Sequence, residues 1–443
     1  MSKRAALLLF VLVFLVASGY ITLLLASAEP KTIIVPDDYP TISAAISHAS
    51  DGDTILVRNG TYTEQALEIN KSLTITSEYV NGTKISLHPP QVPAVIPGGQ
   101  TIMVYDHPIR FYADDIKLSG CNITSDGGDI LANGNRIQIV NTTMATERTG
   151  ISFYLTGNES QVLSNTMAGL IVAGSNNTVA GNHVSGISVT GAFNFIIKND
   201  AGSIALIGSR NLVDGNSFIE NGGGVGIWII DAYYNTITNN IEVGSNVGIA
   251  IGYANPSGSY NIFAGNTVEE ACLYGILVQN GSDNVFYGNR ITNNSGSGLG
   301  LGGGRLKPEN NLFFHNIFVN NTQNFEGRGN MNYSNSFDNG AEGNYWDDYM
   351  TKYPDATELD NSGVGNTPYL LYANTADNYP LMNEPDVSAN VPALPNPWSQ
   401  LSFIGPEQEL QQTELVEIII VLALIVIVFG AGVGLLVYLA RKK

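Results

Sequence analysis

The chain repeats two short phrases in which apolar and polar positions alternate with a period of two. The first phrase has six residues, begins and ends with Asn, and carries an apolar residue third. Its copies are NTVAGN at 177, NFIIKN at 194, NLVDGN at 211, NTITNN at 235, NIFAGN at 261, NVFYGN at 284 and NLFFHN at 311. The second phrase is Gly-apolar-x-apolar, with copies GISF at 150, GLIV at 169, GISV at 186, SIAL at 203, GIWI at 226, GIAI at 248, GILV at 275 and GLGL at 298. Such alternation over three or four residues predicts short β-strands.

Successive copies lie 17 to 27 residues apart, which is too short for a βαβ unit and fits one coil of a parallel solenoid. We therefore expect an all-β fold, a right-handed parallel β-helix built as a single-stranded solenoid. Stacked coils would pair each strand with its copies at about 4.8 Å, and the corner Asn side chains would form ladders. The Gly and Asn content, without a helical period, excludes a coiled coil or a helical solenoid. The third positions of the Asn phrase should fill the core: Val179, Ile196, Val213, Ile237, Phe263, Phe286 and Phe313.

Both ends of such a stack expose unpaired strand edges that need covering. At the front, Ile42, Ala45, Ile46 and Ala49 predict a short helix with one apolar face, followed by a strand over 54–57. At the back the repeat ends near residue 338, where a segment rich in Tyr, Asp and Pro begins. The predicted domains are a signal peptide at 1–28, the N-terminal cap and first coils at 29–114, regular coils at 115–337, the C-terminal cap at 338–382, an extended spacer at 383–417, a transmembrane helix at 418–440 and a basic cytosolic tail at 441–443.

The two ends of the chain predict export and anchoring. Lys3 and Arg4 precede an apolar stretch at 5–25 and a small-residue cleavage site at 26–28, which is typical of a secretory signal peptide; an uncleaved anchor is the alternative. An uncharged run at 418–439 would reach roughly 33 Å as a helix and match the bilayer core. Basic residues at 441–443 favour a cytosolic C-terminus. We expect a single-pass cell-membrane protein with its β-helix outside the cell.

The charge of the chain excludes one class of partner. With 39 Asp and Glu against 20 Lys and Arg, the formal net charge is −19, which repels nucleic acids and free polyanions. Such a surface suits divalent cations or neutral glycans, and it also favours solubility. If the host glycosylates exported proteins, the Asn-x-Ser/Thr sites are candidate acceptors. They are Asn59, Asn70, Asn81, Asn122, Asn141, Asn158, Asn176, Asn280, Asn293, Asn320 and Asn332.

Motifs at the two ends of the solenoid resemble one family. The opening IIVPDDYPTISAAISHASDGDTILVRNGTY, the Asn-cornered coils, GNYWDDY at 343, SGVGNTPYLL at 362 and DNYPLM at 377 are similar to the NosD-type periplasmic copper-binding β-helix family of the pectin-lyase-like superfamily. The resemblance spans residues 32–382. It implies the β-helix fold, export and an accessory role, which in the founding members is copper supply for nitrous oxide reductase; many relatives are surface proteins without an assigned role.

The residue content does not favour copper, and no cofactor is firmly implied. The five histidines are scattered along the sequence, and the chain has no Met-rich or Cys-x-x-Cys tract for soft copper. Calcium has a weak candidate in Glu358, Asp360 and Ser362, which alternate before Gly363 like the start of an oxygen-ligand loop. That loop lacks an acidic closing ligand, so a plain Asx-turn is the alternative.

A binding surface is easier to predict than an active site. Polysaccharide lyases, epimerases and hydrolases need a base beside a carboxylate or paired carboxylates, and the few basic residues of the coils do not gather with acids, so catalytic residues stay unknown. The x positions of the second phrase should point outward, which places Trp228 between Ala205 and Ala250. Loops that carry Tyr233, Tyr234, Tyr253 and Tyr260, with the loop at 302–310, should wall the same region.

These residues favour a non-catalytic surface module that binds a glycan or a partner protein through aromatic side chains. The alternative functions are a polysaccharide lyase, epimerase or hydrolase, and an accessory copper-delivery protein as the resemblance implies. The alternative for Trp228 is an indole that is merely covered by its own loops.

The two cysteines, Cys121 and Cys272, should lie seven coils apart, roughly 34 Å along the axis. That separation predicts two free and mostly buried thiols rather than a disulfide.

Overall fold

The computed structural model describes residues 29–387, except 98, 147–150, 220–222, 254–256, 330–333 and 373–374. The predicted signal peptide at 1–28, the spacer beyond 387, the transmembrane helix at 418–440 and the tail at 441–443 lie outside the described residues. Within the described ranges, no helix is long and apolar enough to cross a membrane.

The described chain winds into stacked coils whose strands pair in parallel with the coil before and the coil after. The first sheet has 13 strands, one from each coil. They are Thr32–Val35, Thr54–Val57, Thr74–Ser77, Lys117–Ser119, Gln138–Val140, Gln161–Leu163, Thr178–Ala180, Phe195–Ile197, Leu212–Asp214, Thr236–Thr238, Ile262–Ala264, Val285–Tyr287 and Leu312–Phe314.

The second sheet has 23 strands and consists of two ladders, which the long strands Thr166–Val172 and His183–Val189 join. The other strands of its first ladder are Gly60–Glu64, Thr83–Leu87, Cys121–Ser125, Thr143–Thr146, Asp200–Ala201, Ser217–Ile219, Ile241–Val243, Thr267–Glu269, Arg290–Thr292, Ile317–Val319 and Tyr345–Trp346. Those of its second ladder are Leu67–Ile69, Ile109–Phe111, Ile130–Ala132, Ser152–Leu155, Ile204–Leu206, Val225–Ile229, Val247–Ile251, Tyr274–Val278, Ser297–Gly302 and Gln323–Arg328. The all-β parallel solenoid predicted from the repeats is confirmed.

Three small sheets and two helices complete the described fold. Ala232–Tyr233 pairs in parallel with Gly258–Ser259, and Tyr369–Tyr372 pairs antiparallel with Thr375–Asp377. An antiparallel hairpin of Gln91–Val95 and Thr101–Tyr105 is inserted within one coil, between its strands Thr83–Leu87 and Ile109–Phe111. The helices are Ile42–His48 and Tyr349–Lys352.

The predicted core and Asn ladders are both present. The seven predicted core side chains are buried, and Phe263, Phe286 and Phe313 stack with centroids 4.8 and 4.5 Å apart. The Asn194 Oδ1 accepts the backbone N–H of Asn177 at 2.9 Å, while its Nδ2 donates to the Gly174 carbonyl at 3.0 Å. Each corner Asn therefore satisfies backbone groups of neighbouring coils that the turns leave without a strand partner.

Each end of the stack has a segment packed against it. The helix Ile42–His48 buries Ile42, Ala45 and Ile46 against the first coils, and the Thr41 Oγ1 accepts the Ala44 N–H at its start. At the other end the Trp346 indole is buried in the cap, and its Nε1 donates to Asp377 at 2.9 Å.

Both cysteines are free, and seven strand steps separate their coils. Cys121 is buried, and this burial raises the pKa of its thiol to about 12. Cys272 is exposed, so the prediction that both thiols are mostly buried is wrong for it. It lies in the turn between Thr267–Glu269 and Tyr274–Val278, where no strand alternation directs the side chain inward.

Candidate functional site

The outward positions of the second ladder form a continuous row of side chains along the stack, named the outer strip below. Strand alternation creates it: Ile227 and Ile229 are buried in the core, so Trp228 between them points outward. The register aligns Trp228 with Ala205 on one side and Ala250 on the other, as predicted. In order, the outer strip contains Glu68, Arg110, Leu131, Tyr154, Ile171, Ser188, Ala205, Trp228, Ala250, Leu277, Gly300 and Glu326.

One predicted register is wrong. The phrase GISF at 150 suggested Ser152 as the outward neighbour of Ile171, but Ser152 pairs with Gly169 and Tyr154 pairs with Ile171. The strand of this coil begins two residues later than the phrase indicates, at Ser152. The outer strip therefore gains an aromatic ring, Tyr154, that the sequence pattern missed.

Trp228 is half-buried in the outer strip, and the predicted partner Tyr253 lies beside it. The two ring centroids are 6.3 Å apart with planes at 72°, an edge-to-face arrangement. The indole Nε1 is buried and has no hydrogen-bond partner among the described residues. Packing, rather than a hydrogen bond, therefore holds this ring in place.

An apolar cluster, separate from the core, lies next to Trp228 on the outer face. Ala250 and Leu277 are buried there, with Trp228 and Tyr274 packed against them. Gly300 is needed for this packing, because a Cβ at that position would lie 2.5 Å from the Tyr274 Cδ1 and 3.0 Å from the Leu277 Cδ1. The side chains on the outward face of these coils therefore pack against one another and shield Ala250 and Leu277 from solvent.

A polar group ends the outer strip. The Tyr274 hydroxyl donates to the Glu326 Oε1 at 3.0 Å, and the Ser297 hydroxyl donates to the Glu326 Oε2 at 2.8 Å. The Arg328 guanidinium carbon lies 5.2 Å from the Tyr274 ring centroid, a cation–π contact. Burial and the bond to Glu326 raise the pKa of Tyr274. Pattern analysis missed this group because QNFEGR at 323 lacks the Gly-apolar start, although it aligns with SGLGLG at 297.

The other predicted aromatic residues gather elsewhere. Tyr234 and Tyr260 stack with centroids 5.0 Å apart, and the Arg210 guanidinium lies 5.2 Å from the Tyr234 ring. The Tyr233 hydroxyl bonds to the carboxylate of Asp231 at 2.7 Å. These rings occupy the turns before the corner Asn residues, where Tyr234 and Tyr260 each cover one face of the other and Tyr234 remains 42% exposed.

A carboxyl group that the sequence reading overlooked lies inside the solenoid. Glu242 is fully buried in a column between Phe218 and Val268. Its Oε1 accepts hydrogen bonds from Ser245, and its Oε2 has no partner among the described residues. Burial raises its pKa to about 7.

The candidate glycosylation sites differ in exposure. Asn280 is wrong as an acceptor, because it is buried, donates to the Gly252 carbonyl at 2.7 Å and accepts the Leu306 N–H at 2.7 Å. Asn122 is half-buried, and Asn332 lies outside the described residues. The exposed candidates are Asn59, Asn70, Asn81, Asn141, Asn158, Asn176, Asn293 and Asn320.

The described residues do not fit a copper site. They contain no group of three or more His, Cys, Asp or Glu side chains placed to hold a metal ion. The histidines lie apart with unrelated partners: for example, His88 bonds to Asp126, His183 to Asp200 and His315 to Glu342.

The weak calcium candidate forms a turn. The Glu358 carboxylate accepts the Gly363 N–H at 2.5 Å, and the Ser362 hydroxyl accepts the Val364 N–H at 3.4 Å. Asp360 is exposed. Two of the three proposed ligand side chains thus cap backbone N–H groups of their own turn.

Comparisons with known proteins agree with the predicted resemblance. Residues 185–351 match the family described as periplasmic copper-binding protein (NosD), so the resemblance to that family is confirmed over these coils. No curated protein matches the chain.

Several solved structures are similar to the chain. The A-module of the mannuronan C-5 epimerase AlgE6 of Azotobacter vinelandii is 14% identical with a TM-score of 0.46, covering 66% of this chain and 91% of that one. A polysaccharide lyase of family PL6 from Pseudopedobacter saltans is 16% identical with a TM-score of 0.47, covering 73% and 95%. The periplasmic alginate epimerase AlgG is 15% identical with a TM-score of 0.37, covering 69% and 83%.

Proposed function

We propose that this protein is a non-catalytic surface module that binds a glycan along the outer strip between Tyr154 and Trp228. The observation that carries the proposal is the spacing of these two rings on one outward face. Four coil steps separate them, roughly 19 Å at about 4.8 Å per step. Between them the strip carries only Ile171, Ser188 and Ala205, all half-buried. Two aromatic side chains with only smaller side chains between them suit an extended sugar chain, since sugars pack on aromatic faces.

Charge favours a neutral glycan over an acidic one. The outward residues from Tyr154 to Trp228 include no carboxylate and no cation, whereas the chain as a whole carries a formal charge of −19. An acidic polysaccharide would meet net repulsion without a local cation to offset it. Apart from the Tyr154 phenol, this segment also lacks groups that transfer protons, which favours binding over lyase or epimerase chemistry.

The proposal places the module outside the cell on a membrane anchor. The charge-flanked apolar ends of the sequence and the periplasmic description of the matching family support this location. Protease added to intact cells should digest the β-helix and leave a small C-terminal membrane fragment. Protection of the β-helix from that protease would contradict the topology.

Glycan binding is tested with three variants of the full chain. On an array of neutral and acidic polysaccharides, the native protein should be retained on a neutral glycan, and Tyr154→Ala and Trp228→Ala should each lose at least tenfold in affinity. Tyr79→Ala is the matched control, because Tyr79 is 63% exposed and lies outside the outer strip, so its loss should change nothing.

The same panel separates binding from catalysis. New reducing ends or unsaturated uronide absorbance would identify an enzyme and overturn the proposal. Equal retention of Trp228→Ala and native protein would place the glycan elsewhere. A large loss of thermal stability in Trp228→Ala would show that the ring is structural, and Tyr154→Ala then decides whether the strip binds.

A further inference from the structure

The hairpin of Gln91–Val95 and Thr101–Tyr105 is an uncharged arm on a strongly acidic protein. No Asp, Glu, Lys or Arg occurs from residue 91 to residue 105. All five side chains of Thr101–Tyr105 are exposed, with Met103 at 57%. An isolated two-stranded hairpin with apolar side chains in water gains little stability from its own packing. The exposed apolar side chains of this arm therefore indicate a surface that binds another protein chain.

The hydrogen bonds of the hairpin show which backbone groups are free. The Asp106 N–H donates to the Pro90 carbonyl at 2.8 Å, and the Ile96 N–H donates to the Gln100 carbonyl at 2.9 Å. Antiparallel pairs alternate between hydrogen-bonded and open, so the register makes 92/104 and 94/102 the bonded pairs between these ends. The backbone groups of Thr101, Met103 and Tyr105 therefore point away from the hairpin and meet no other strand in the described chain.

The two outer edges of the hairpin differ in how they are protected. On the Gln91–Val95 edge the central outward position is Pro93, which has no N–H to offer. The Thr101–Tyr105 edge has no Pro, no charge and no bulge, the devices that usually prevent edge pairing. One edge is closed to a further strand, and the other is open.

We propose that Thr101–Tyr105 pairs antiparallel with the same strand of a second copy of this chain, about a two-fold axis at Met103. The five-residue strand is self-complementary in this register: Met103 opposes its own copy, and Thr101 opposes Tyr105 of the second copy. All three outward residues fall at bonded positions, which gives about six new main-chain hydrogen bonds and a four-stranded sheet. On the other face Ile102 and Val104 of the two copies meet as apolar cross-strand pairs.

The lack of charge on this arm favours it over the acidic surfaces of the chain as a contact between two copies. Two copies with a formal charge of −19 each repel one another, and an uncharged arm brings no like charges into the contact itself. A hairpin pair buries less than a standard interface, so the association should be weak and favoured by high local concentration. This inference does not rest on the proposed glycan site.

A cysteine at the axis tests the pairing in the full chain. All variants carry Cys272→Ser to remove the exposed thiol, while Cys121 stays buried. At the axis the two Cα atoms of a bonded pair lie about 5.5 Å apart, within disulfide reach. Met103→Cys should therefore form a covalent dimer under mild oxidation. Val95→Cys is the control, because it is exposed, leaves Pro93 in place, and three strand spacings of about 4.8 Å would hold its two copies at least roughly 14 Å apart.

Sedimentation provides a second readout that does not depend on cross-linking. Over a concentration series the native chain should show reversible dimerisation, and Met103→Pro, which removes the central edge N–H outside the core, should shift it at least tenfold toward monomer. Cross-linking of Val95→Cys as fast as Met103→Cys, absence of any Met103→Cys dimer, or unchanged association of Met103→Pro would each overturn the proposal.

Discussion

Glu242 should make the stability of the solenoid depend on pH. Its carboxyl lies in an apolar column of the core, where burial raises the pKa from 4.5 to about 7. The folded chain thus binds the proton more tightly than the unfolded chain does. Between pH 4.5 and 7 the folded state holds more protons than the unfolded state, so stability falls as the pH rises through that window.

The size of this effect follows from the two pKa values. One unit of difference corresponds to about 1.4 kcal/mol, so the free energy of unfolding should drop by about 3 kcal/mol between pH 4.5 and pH 8. Glu242→Gln keeps the shape and has no proton to lose, so its stability should lack this component. Glu242→Val copies Val268, the aligned residue of the next coil, and should be more stable than the native protein at pH 8.

Urea unfolding at pH 4.5, 6 and 8 measures the prediction for the native chain and both variants. Burial also raises the pKa of Asp377 to about 7, and this carboxyl titrates in all three proteins. The difference in unfolding free energy between the native chain and Glu242→Gln therefore isolates the contribution of Glu242. The difference in unfolding free energy should grow by about 3 kcal/mol from pH 4.5 to pH 8. Parallel pH profiles for the native protein and Glu242→Gln would refute the reasoning.

Two further predictions concern the ladders and the thiols. Asn216→Ala should lower the free energy of unfolding by at least about 2 kcal/mol, because it leaves buried backbone groups of neighbouring coils unpaired. The control Asn70→Ala removes an exposed side chain and should have little effect. Equal effects of the two substitutions in urea unfolding would contradict the ladder. A thiol reagent should label Cys272 in the native protein and Cys121 only after denaturation, as peptide mass will show; a disulfide between them would contradict the register.

Inward positions were predictable from the sequence because packing and hydrogen bonding constrain them in every coil. Val179 and Phe313 belong to an apolar column that must interlock with its neighbours, so their residue types repeat at a fixed place in the phrase. The corner Asn residues repeat for a similar reason, since each amide bonds to backbone groups in adjacent coils. A repeat of this kind identifies the fold without knowledge of any ligand.

Outward positions were harder to predict, because the packing of the core does not restrict their residue type. Tyr154 was missed through a register that was wrong by two residues, and Glu326 was missed because its coil lacks the phrase that marks the others. Glu242 was missed although it occupies an inward position, because a polar residue in a short strand is normally interpreted as pointing outward. Tyr234 and Tyr260 were placed beside Trp228 from loop length alone, which does not fix the direction of a side chain.

The glycine that begins four of the Gly-apolar-x-apolar phrases, at 226, 248, 275 and 298, explains why this pattern informs about the core and not about the outward residues. It faces the side chain that the first ladder sends into the core: a Cβ at Gly248 would lie 2.6 Å from the Glu242 Oε2, and one at Gly298 would lie 3.0 Å from the Phe318 Cδ1. Any larger residue would force the two ladders apart, so glycine is retained wherever a bulky partner fills the corner. Two residues along the same strand, the x position points away from the core, so it can change from alanine to tryptophan at no cost to the core. Outward residues can therefore differ between solenoids that share every inward residue type, and the proposed glycan site has to be tested at the outer strip itself.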